Sequence, residues 1–223
     1  MSEPAGRALA PVVVTIPNGS FAQNCYLVAD PQAGVAAMID PGEEHQRILA
    51  SLRHRGWRLE AIWLTHAHID HILGVAAVKR ETGAPIWLHP DDRAWYDRLA
   101  DQAAYFGLAR VETPPPPDHG LAHGQRVRIG GFEFAVRHTP GHSPGSVSFV
   151  GHGMVFGGDV LFQGSVGRTD LAGGDPRILA QTLEREFLGL PDDTVVHSGH
   201  GPATTIGAER AGNPFLRAGA LIG

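Results

Sequence analysis

The feature that most constrains this chain is a group of four possible metal ligands within six residues, directly after a short apolar run. The run, residues 61–64, has the composition of a buried strand, and the ligands are His66, His68, Asp70 and His71. A continued strand would direct the first three to one side and His71 to the other. A loop that turns into a helix presents two pairs in different directions, which suits two metal ions. The alternative is a polar surface loop, but Ile69 and Ile72 indicate that the segment is anchored in a core.

The composition also points to a metal site, and it excludes other classes of protein. The 223 residues include 13 histidines, and neutral imidazole is the commonest metal ligand. A net charge of -5 with a single lysine, Lys79, argues against nucleic-acid binding. One cysteine excludes a disulfide framework, and no apolar run is long enough to span a membrane. The N-terminus does not have the pattern of a signal peptide, so we expect a cytoplasmic protein.

Short apolar runs separated by turn residues predict many strands and few helices. The predicted strands are residues 12–16, 25–29, 35–39, 61–64, 85–88, 127–129, 132–138, 146–150, 154–156 and 194–197. The predicted helices are residues 43–55, 72–81, 91–106 and 176–188, the last beginning after an Asp175 cap. Residues 113–120, with four consecutive prolines, are predicted to form an irregular loop. Two sheets packed face to face with helices outside accommodate so many strands better than one sheet does.

Three more candidate ligands follow later strands, and each has glycine beside it. His142 lies in Pro140-Gly141-His142, Asp159 follows Gly157-Gly158, and His200 lies in Gly199-His200-Gly201. Glycine allows the backbone to come close to a bound group. Each of these loops is a weak signal alone, because Gly-His-Gly is also an ordinary turn.

In their order, residue types and spacing, these motifs resemble those of the metallo-β-lactamase superfamily, from Asn24 to Pro214. The resemblance implies a single domain over residues 1–223. Its fold would be α/β (α+β), built as a four-layer αββα sandwich. It also implies two divalent metal ions, zinc first and iron or manganese as alternatives. One ion would be held by three histidines and the other by Asp70 and two histidines, with Asp159 bridging them. The two sets are His66, His68 and His142, and Asp70, His71 and His200.

Among the remaining residues of interest, Asp40 is the one for which pattern and resemblance suggest different roles. Asp40, before Pro41-Gly42, is a turn residue by its pattern and a carboxylate supporting a ligand histidine by the resemblance. Cys25 lies in an apolar strand and is expected to be a small buried residue. Seven further histidines are predicted to have no metal role: His45, His54, His89, His119, His123, His138 and His152.

The segment Ser165-Val166-Gly167-Arg168-Thr169-Asp170 is similar to the glyoxalase II and persulfide dioxygenase branch of the superfamily. The C-terminal motifs, from Gly199-His200-Gly201-Pro202 onwards, resemble short bacterial glyoxalase II-like hydrolases. Arg168 is then either a substrate-binding residue or a brace for its loop. Only 23 residues follow His200, too few for the C-terminal helical region with which long glyoxalase II enzymes bind glutathione. The thiol carrier is therefore open.

The resemblance implies a hydrolase of acyl thioesters, similar to hydroxyacylglutathione (S-lactoylglutathione), in which a hydroxide between the metals attacks the carbonyl. Asp70 would orient that hydroxide. The alternative is a glutathione persulfide dioxygenase with one iron held by His66, His142 and Asp159. His200 in its Gly-His-Gly turn favours the two-metal hydrolase, and a binding module on a decayed site is disfavoured by seven intact ligands.

Other branches of the superfamily fit less well. A drug-degrading β-lactamase is disfavoured by the absence of a signal pattern, and the flavodiiron branch would have glutamate in place of His68. An RNA nuclease is disfavoured by the size and charge of the chain. The expected partner is a small thioester, with neither nucleic acid nor membrane.

Overall fold

The structure, a computed structural model, describes residues 10–108 and 111–216. Its first sheet has six strands in the order β1-β2-β3-β4-β5-β6, antiparallel from β1 to β3 and parallel from β3 to β6. These strands are β1 Val12–Asn18, β2 Gln23–Asp30, β3 Val35–Ile39, β4 Arg58–Trp63, β5 Ile86–Leu88 and β6 His119–Gly120.

A second six-stranded sheet faces the first, in the order β14-β13-β10-β9-β8-β7. The strands of the second half of the chain are β7 Arg126–Ile129, β8 Phe132–His138, β9 Val147–Gly151, β10 Met154–Gly158, β11 Leu161–Phe162, β12 Ser165–Val166, β13 Val195–Ser198 and β14 Thr204–Thr205. β11 and β12 form a separate hairpin.

Seven α-helices flank the sheets in the described part of the chain. They are α1 His45–His54, α2 Ile69–Ile72, α3 Val75–Thr82, α4 Arg93–Asp97, α5 Leu99–Tyr105, α6 Pro176–Thr182 and α7 Ile206–Gly212. The π-helical turn Leu183–Phe187 continues α6, which begins at the predicted cap, where Asp175 accepts hydrogen bonds from two backbone N–H groups. Within the described residues, 10–108 and 111–216, no helix is long and apolar enough to cross a membrane.

Three clusters of buried apolar side chains define the layers. The first lies between the first sheet and its helices, where Leu27 and Ile48 belong to one cluster. The second lies between the two sheets, where Trp63 stacks on Phe149 with ring centroids 5.2 Å apart. The third lies beneath α6 and includes Leu179. The expected αββα sandwich is therefore confirmed, and burial of apolar area on both faces of each sheet stabilises it.

Some local predictions were wrong. The predicted helix 91–106 is divided into a short 3-10 turn, α4 and α5, and the chain bends at Arg98. The bend allows the Gln102 side chain to donate hydrogen bonds to the carbonyls of Trp95, at 2.9 Å, and Ala67, at 3.0 Å. Side-chain bonds of this kind replace part of a regular helix ladder, and propensity alone does not reveal them.

Two other segments of the structure also differ from the sequence prediction. The predicted helix 72–81 is replaced by α2 and α3, which are separated at Gly74, where the backbone N–H donates to the Pro41 carbonyl at 2.9 Å. A side chain at Gly74 would collide with the Gly42 carbonyl, so this break brings the loop after β3 against α2. The loop 113–120 ends in a short edge strand, β6, and β14 and α7 follow His200.

Candidate metal centre

Four loops, which follow β4, β8, β10 and β13, bring the seven predicted ligands together. In the first group, three histidine nitrogens lie within 4.8 Å of one another, and in the second group one carboxylate oxygen and two histidine nitrogens do so. The first group is His66, His68 and His142, and the second is Asp70, His71 and His200. Because each loop follows a different strand, the pairing of the strands decides that the ligands meet.

Asp159 lies between the two groups. One of its oxygens is 3.4 Å from Nε2 of His71, and the other is 3.5 Å from Nε2 of both His142 and His200. Nε2 of His200 is also 3.0 Å from a carboxylate oxygen of Asp70. One carboxylate thus contacts both groups of candidate ligands, as the sequence resemblance implies.

Backbone carbonyls orient two of the histidines. Nδ1 of His142 is 2.8 Å from the carbonyl oxygen of Arg168, and Nδ1 of His200 is 3.1 Å from that of Phe21. A carbonyl only accepts hydrogen bonds, so each Nδ1 carries a proton, which leaves Nε2 as the nitrogen of each ring that can bind a metal. These bonds hold the rings in the form and orientation that a metal ligand requires.

Asp40 and Thr65 orient two more rings. Nδ1 of His71 donates to a carboxylate oxygen of Asp40 at 2.9 Å, and the same carboxylate accepts from the backbone N–H of Thr65 at 2.7 Å. The Thr65 hydroxyl donates to Asp40 and lies 3.1 Å from Nδ1 of His66. Asp40 has a φ of 51°, in the left-handed region that few residues other than glycine adopt. The structure therefore places Asp40 as a support for a candidate ligand.

Four buried polar atoms of the cluster have no hydrogen-bond partner in the described residues. They are Nε2 of His66, His68 and His71, and one oxygen of Asp159. Buried polar atoms are almost always paired, so several unpaired atoms within one cluster, together with the 2.7 Å approach of His68 Nδ1 to His142 Nε2, form an arrangement that a bound cation would satisfy. Imidazole nitrogens with carboxylate oxygens are donors that Zn²⁺ and Fe²⁺ accept, so the residues present fit a metal centre.

The charges of the cluster also favour bound cations. Burial, together with the neighbouring histidines, lowers the pKa of His66 well below its usual value, and burial lowers that of His68 to about 3. Burial opposes charge on His71 and Asp159, but attraction to Asp70 and then Asp159 raises the pKa of His71, and attraction to His71 lowers that of Asp159. A cation bound beside these carboxylates would replace the proton on His71. Neutral imidazoles and ionised carboxylates are the forms that bind metal.

Gly199 is required by the close packing of the site. A Cβ at this position would overlap a carboxylate oxygen of Asp159 and lie 2.8 Å from Cε1 of His71. The Gly199 carbonyl also accepts a hydrogen bond from the backbone N–H of Asn24 at 2.7 Å. The glycine beside His200 therefore allows the backbone to approach the cluster, as the sequence analysis expects.

Asp92 is a functional residue that sequence reasoning missed. It is fully buried, and it accepts hydrogen bonds from the backbone N–H of Ala67 at 2.8 Å, the hydroxyl of Ser143 at 2.9 Å and the N–H of Gly145 at 2.6 Å. Ala67 lies between two candidate ligands, and Ser143 follows a third, His142. Asp92 thus joins two ligand loops. No sequence signal distinguishes it from the exposed Asp91 beside it.

A cavity of about 820 Å³ opens onto the candidate ligands, and its walls come from both halves of the chain. Arg168 lies on its wall, where the guanidinium makes two hydrogen bonds, of 2.7 and 2.8 Å, to the Asp170 carboxylate. Its backbone carbonyl is the one that orients His142. Arg168 therefore braces its loop, and it also lines the cavity.

The other histidines lie apart from the cluster. His89 and His138 stack at 4.2 Å near Asp91, and these three could hold an ion by distance, but Nε2 of His138 already bonds the Pro144 carbonyl at 2.8 Å. His197, which the sequence analysis did not consider, stacks on Phe156 and has its pKa lowered to about 4 by burial. Cys25 is fully buried, as predicted, and burial raises the pKa of its thiol.

An αββα sandwich with a histidine and aspartate cluster between strand ends is typical of metal-binding hydrolases. The sequence profile of the metallo-β-lactamase superfamily matches residues 18–200. The chain belongs to this superfamily, and the resemblance seen in the sequence is confirmed.

Three similar proteins extend this comparison. Hydroxyacylglutathione hydrolase GloC of Haemophilus influenzae is 38% identical over 204 residues, which cover 90% of this chain and 96% of that protein. The crystal structure of BLEG-1 B3 metallo-beta-lactamase has a TM-score of 0.87 and 41% identity, and covers 93% of this chain and 100% of that chain. The crystal structure of TTHA1623 in a di-iron-bound form has a TM-score of 0.84 and 44% identity, and covers 92% of this chain and 100% of that one.

Proposed function

We propose that this protein is a two-metal hydrolase of acyl thioesters, for which S-lactoylglutathione is the first substrate to test. The observation that carries the proposal is the position of Asp159, whose carboxylate contacts histidines of both candidate ligand groups. Two dications held a few Å apart repel each other, and a shared carboxylate offsets that repulsion. The similarity to GloC, which is described as a hydroxyacylglutathione hydrolase, supports an acyl thioester as the substrate class.

Each ligand group would hold one ion, and Asp159 would contact both. Zinc fits the nitrogen and oxygen donors, and the di-iron form of TTHA1623 makes iron the next metal to test. When bound, such ions supply a hydroxide at neutral pH and polarise a substrate carbonyl. Asp70, with 15% of its side chain exposed, faces the cavity and would orient the attacking oxygen as well as bind metal.

The cavity wall favours a leaving group that departs without a proton. Outside the proposed ligands, its described histidine, lysine, arginine and carboxyl side chains belong to two ion pairs, Arg98–Asp101 and Arg168–Asp170. The phenol of Tyr105, which is 79% exposed, is then the remaining wall side chain among the described residues that could give a proton to a leaving amine. A thiol has a pKa of about 8.5, so a thiolate leaves more readily than an amine or an alkoxide. A thioester is therefore favoured over an amide.

Release of thiol from S-lactoylglutathione by metal-loaded protein tests the proposal, with and without oxygen. We expect equal rates, because hydrolysis takes its oxygen from water. An oxygen electrode with glutathione persulfide tests the dioxygenase in parallel. Rapid O₂ uptake by iron-loaded protein, with no thiol released from any thioester, would replace the hydrolase with the dioxygenase.

β-Lactam hydrolysis is a second candidate, because BLEG-1 is described as a B3 metallo-beta-lactamase. A chromogenic cephalosporin in the same assay separates the two. We expect kcat/KM for the thioester to exceed that for the cephalosporin, since opening a lactam leaves an amine that needs a proton. The reverse order would favour lactam hydrolysis.

A further inference from the structure

The cavity in front of the candidate metal centre has an aromatic wall. It is built by side chains from the turn after β1, from α4, from the end of α5 and from β11, namely Phe21, Trp95, Tyr105, Phe106 and Phe162. The rings of Phe21 and Phe106 meet edge to face at 5.4 Å, which joins two distant segments at the cavity mouth. Tyr105 is 79% exposed and Phe106 is 40% exposed. Exposed aromatic side chains grouped at a cavity mouth indicate a surface that an apolar ligand covers.

The charged groups of the cavity are already paired. Arg98 donates to the carboxylate of Asp101 at 2.9 Å, and Arg168 is held by both oxygens of Asp170. These are the only cationic side chains, apart from histidines, among the described residues that line the cavity. A ligand carboxylate at either arginine would lie beside an aspartate, and like charges at short range repel.

These two observations bear on the thiol half of the substrate. Glutathione carries two carboxylates and one ammonium group, and a site built for it would offer unpaired cations to its carboxylates. The described wall offers paired arginines and exposed aromatic rings instead. An uncharged substrate with an aromatic or long apolar group matches such a wall, because it covers the rings and needs no ion pair to be broken.

We infer that this cavity selects acyl thioesters that carry an aromatic or long apolar acyl group on an uncharged thiol, in preference to thioesters of glutathione. The inference rests on the proposed function and names its substrate class. Phe106 and the Arg168–Asp170 pair are then specificity-determining residues: the first favours the apolar group, and the second disfavours a carboxylate.

Binding of non-hydrolysable thioethers to the metal-loaded protein tests the inference by calorimetry. The three probes are S-phenethyl-N-acetylcysteamine, S-methyl-N-acetylcysteamine and S-phenethylglutathione. We expect the first to bind about tenfold or more tightly than the methyl thioether, as covering one aromatic ring would provide, and more tightly than S-phenethylglutathione, whose carboxylates would meet arginines that are already paired. Equal or tighter binding of S-phenethylglutathione would overturn the inference.

Variants of the cavity wall, each with a matched control elsewhere in the chain, test which residues produce these differences in affinity. Phe106→Ala should remove most of the preference for phenethyl over methyl, whereas Phe215→Ala should retain it, because Phe215 is equally exposed at 39% and does not line the cavity. Asp170→Asn, which frees Arg168, should tighten binding of S-phenethylglutathione severalfold. Equal effects of the two phenylalanine changes would overturn the role given to Phe106.

A matched charge change and the catalytic assay complete the test. Asp192→Asn also frees an arginine, Arg210, which lies away from the cavity, and it should leave the affinity for S-phenethylglutathione unchanged. The phenylacetyl thioesters of N-acetylcysteamine and glutathione are then compared for thiol release. Faster cleavage of the glutathione thioester refutes the inference but retains the proposed hydrolase. Failure to cleave these two thioesters while S-lactoylglutathione is cleaved refutes the inference alone, and failure to cleave all three refutes both.

Discussion

Asp92→Asn is the change that best tests how the metal centre is assembled. The substitution keeps the size of the side chain, but it removes the charge and replaces one acceptor oxygen with an NH₂ donor. That donor would face the backbone N–H of Gly145, or the backbone N–H of Ala67 and the hydroxyl of Ser143. At least one of the three buried hydrogen bonds is therefore lost. The hydrogen bonds that remain are weaker, because their acceptor is no longer charged.

The size of the effect follows from these contacts. A buried donor without a partner costs about 1–3 kcal/mol, and the bonds that remain are weakened as well. We expect the free energy of unfolding to fall by about 2–4 kcal/mol. Because Ala67 and Ser143 adjoin His66, His68 and His142, we also expect the ion of the first group to be lost before that of the second.

Urea unfolding and stepwise chelation, followed by elemental analysis, measure both effects. Asp91→Asn is the matched control, since Asp91 is exposed beside Asp92, and its free energy of unfolding should change by less than about 0.5 kcal/mol. If Asp92→Asn unfolds like the wild type and releases both ions together, the role given to Asp92 is wrong.

Four further predictions concern the centre and its surroundings. After reloading with Zn²⁺, elemental analysis should find about two ions per chain, and a value that stays at one would contradict the two-metal reading. Asp159→Ala should lose metal and nearly all thioester cleavage, whereas His123→Ala, away from the cluster, should retain the rate within about threefold; equal losses would show that the histidines are assigned wrongly. Gly199→Ala should weaken metal binding by about tenfold or more, because its Cβ meets Asp159, and unchanged affinity in a chelator titration would refute this steric argument. Since the pKa of His197 is about 4 in the fold, the unfolded chain binds a proton at this residue first as the pH falls from about 6.5, so the contribution of His197 to stability should fall by up to about 3 kcal/mol toward pH 4; His197→Phe should make the decline of stability in urea unfolding shallower by about that amount over this pH range, and an unchanged decline would contradict the assignment.

The chemistry of the candidate ligands could be predicted from the sequence because it is encoded locally. His66, His68, Asp70 and His71 are neighbours in the chain, and the glycines beside His142, Asp159 and His200 indicate loops that can approach a bound group. The period of the apolar runs likewise predicts strands and helices, and their number favours two sheets.

The tertiary structure alone decided which atoms face one another. The bonds that orient each histidine ring come from Asp40, Thr65 and distant backbone carbonyls, and the role of Asp92 depends on two loops meeting at one buried carboxylate. The aromatic wall is likewise assembled from Phe21, Phe106 and other side chains in separate segments. Contacts of this kind depend on how the strands pair and how the two sheets pack, and these are cooperative properties of the whole chain that no local pattern contains.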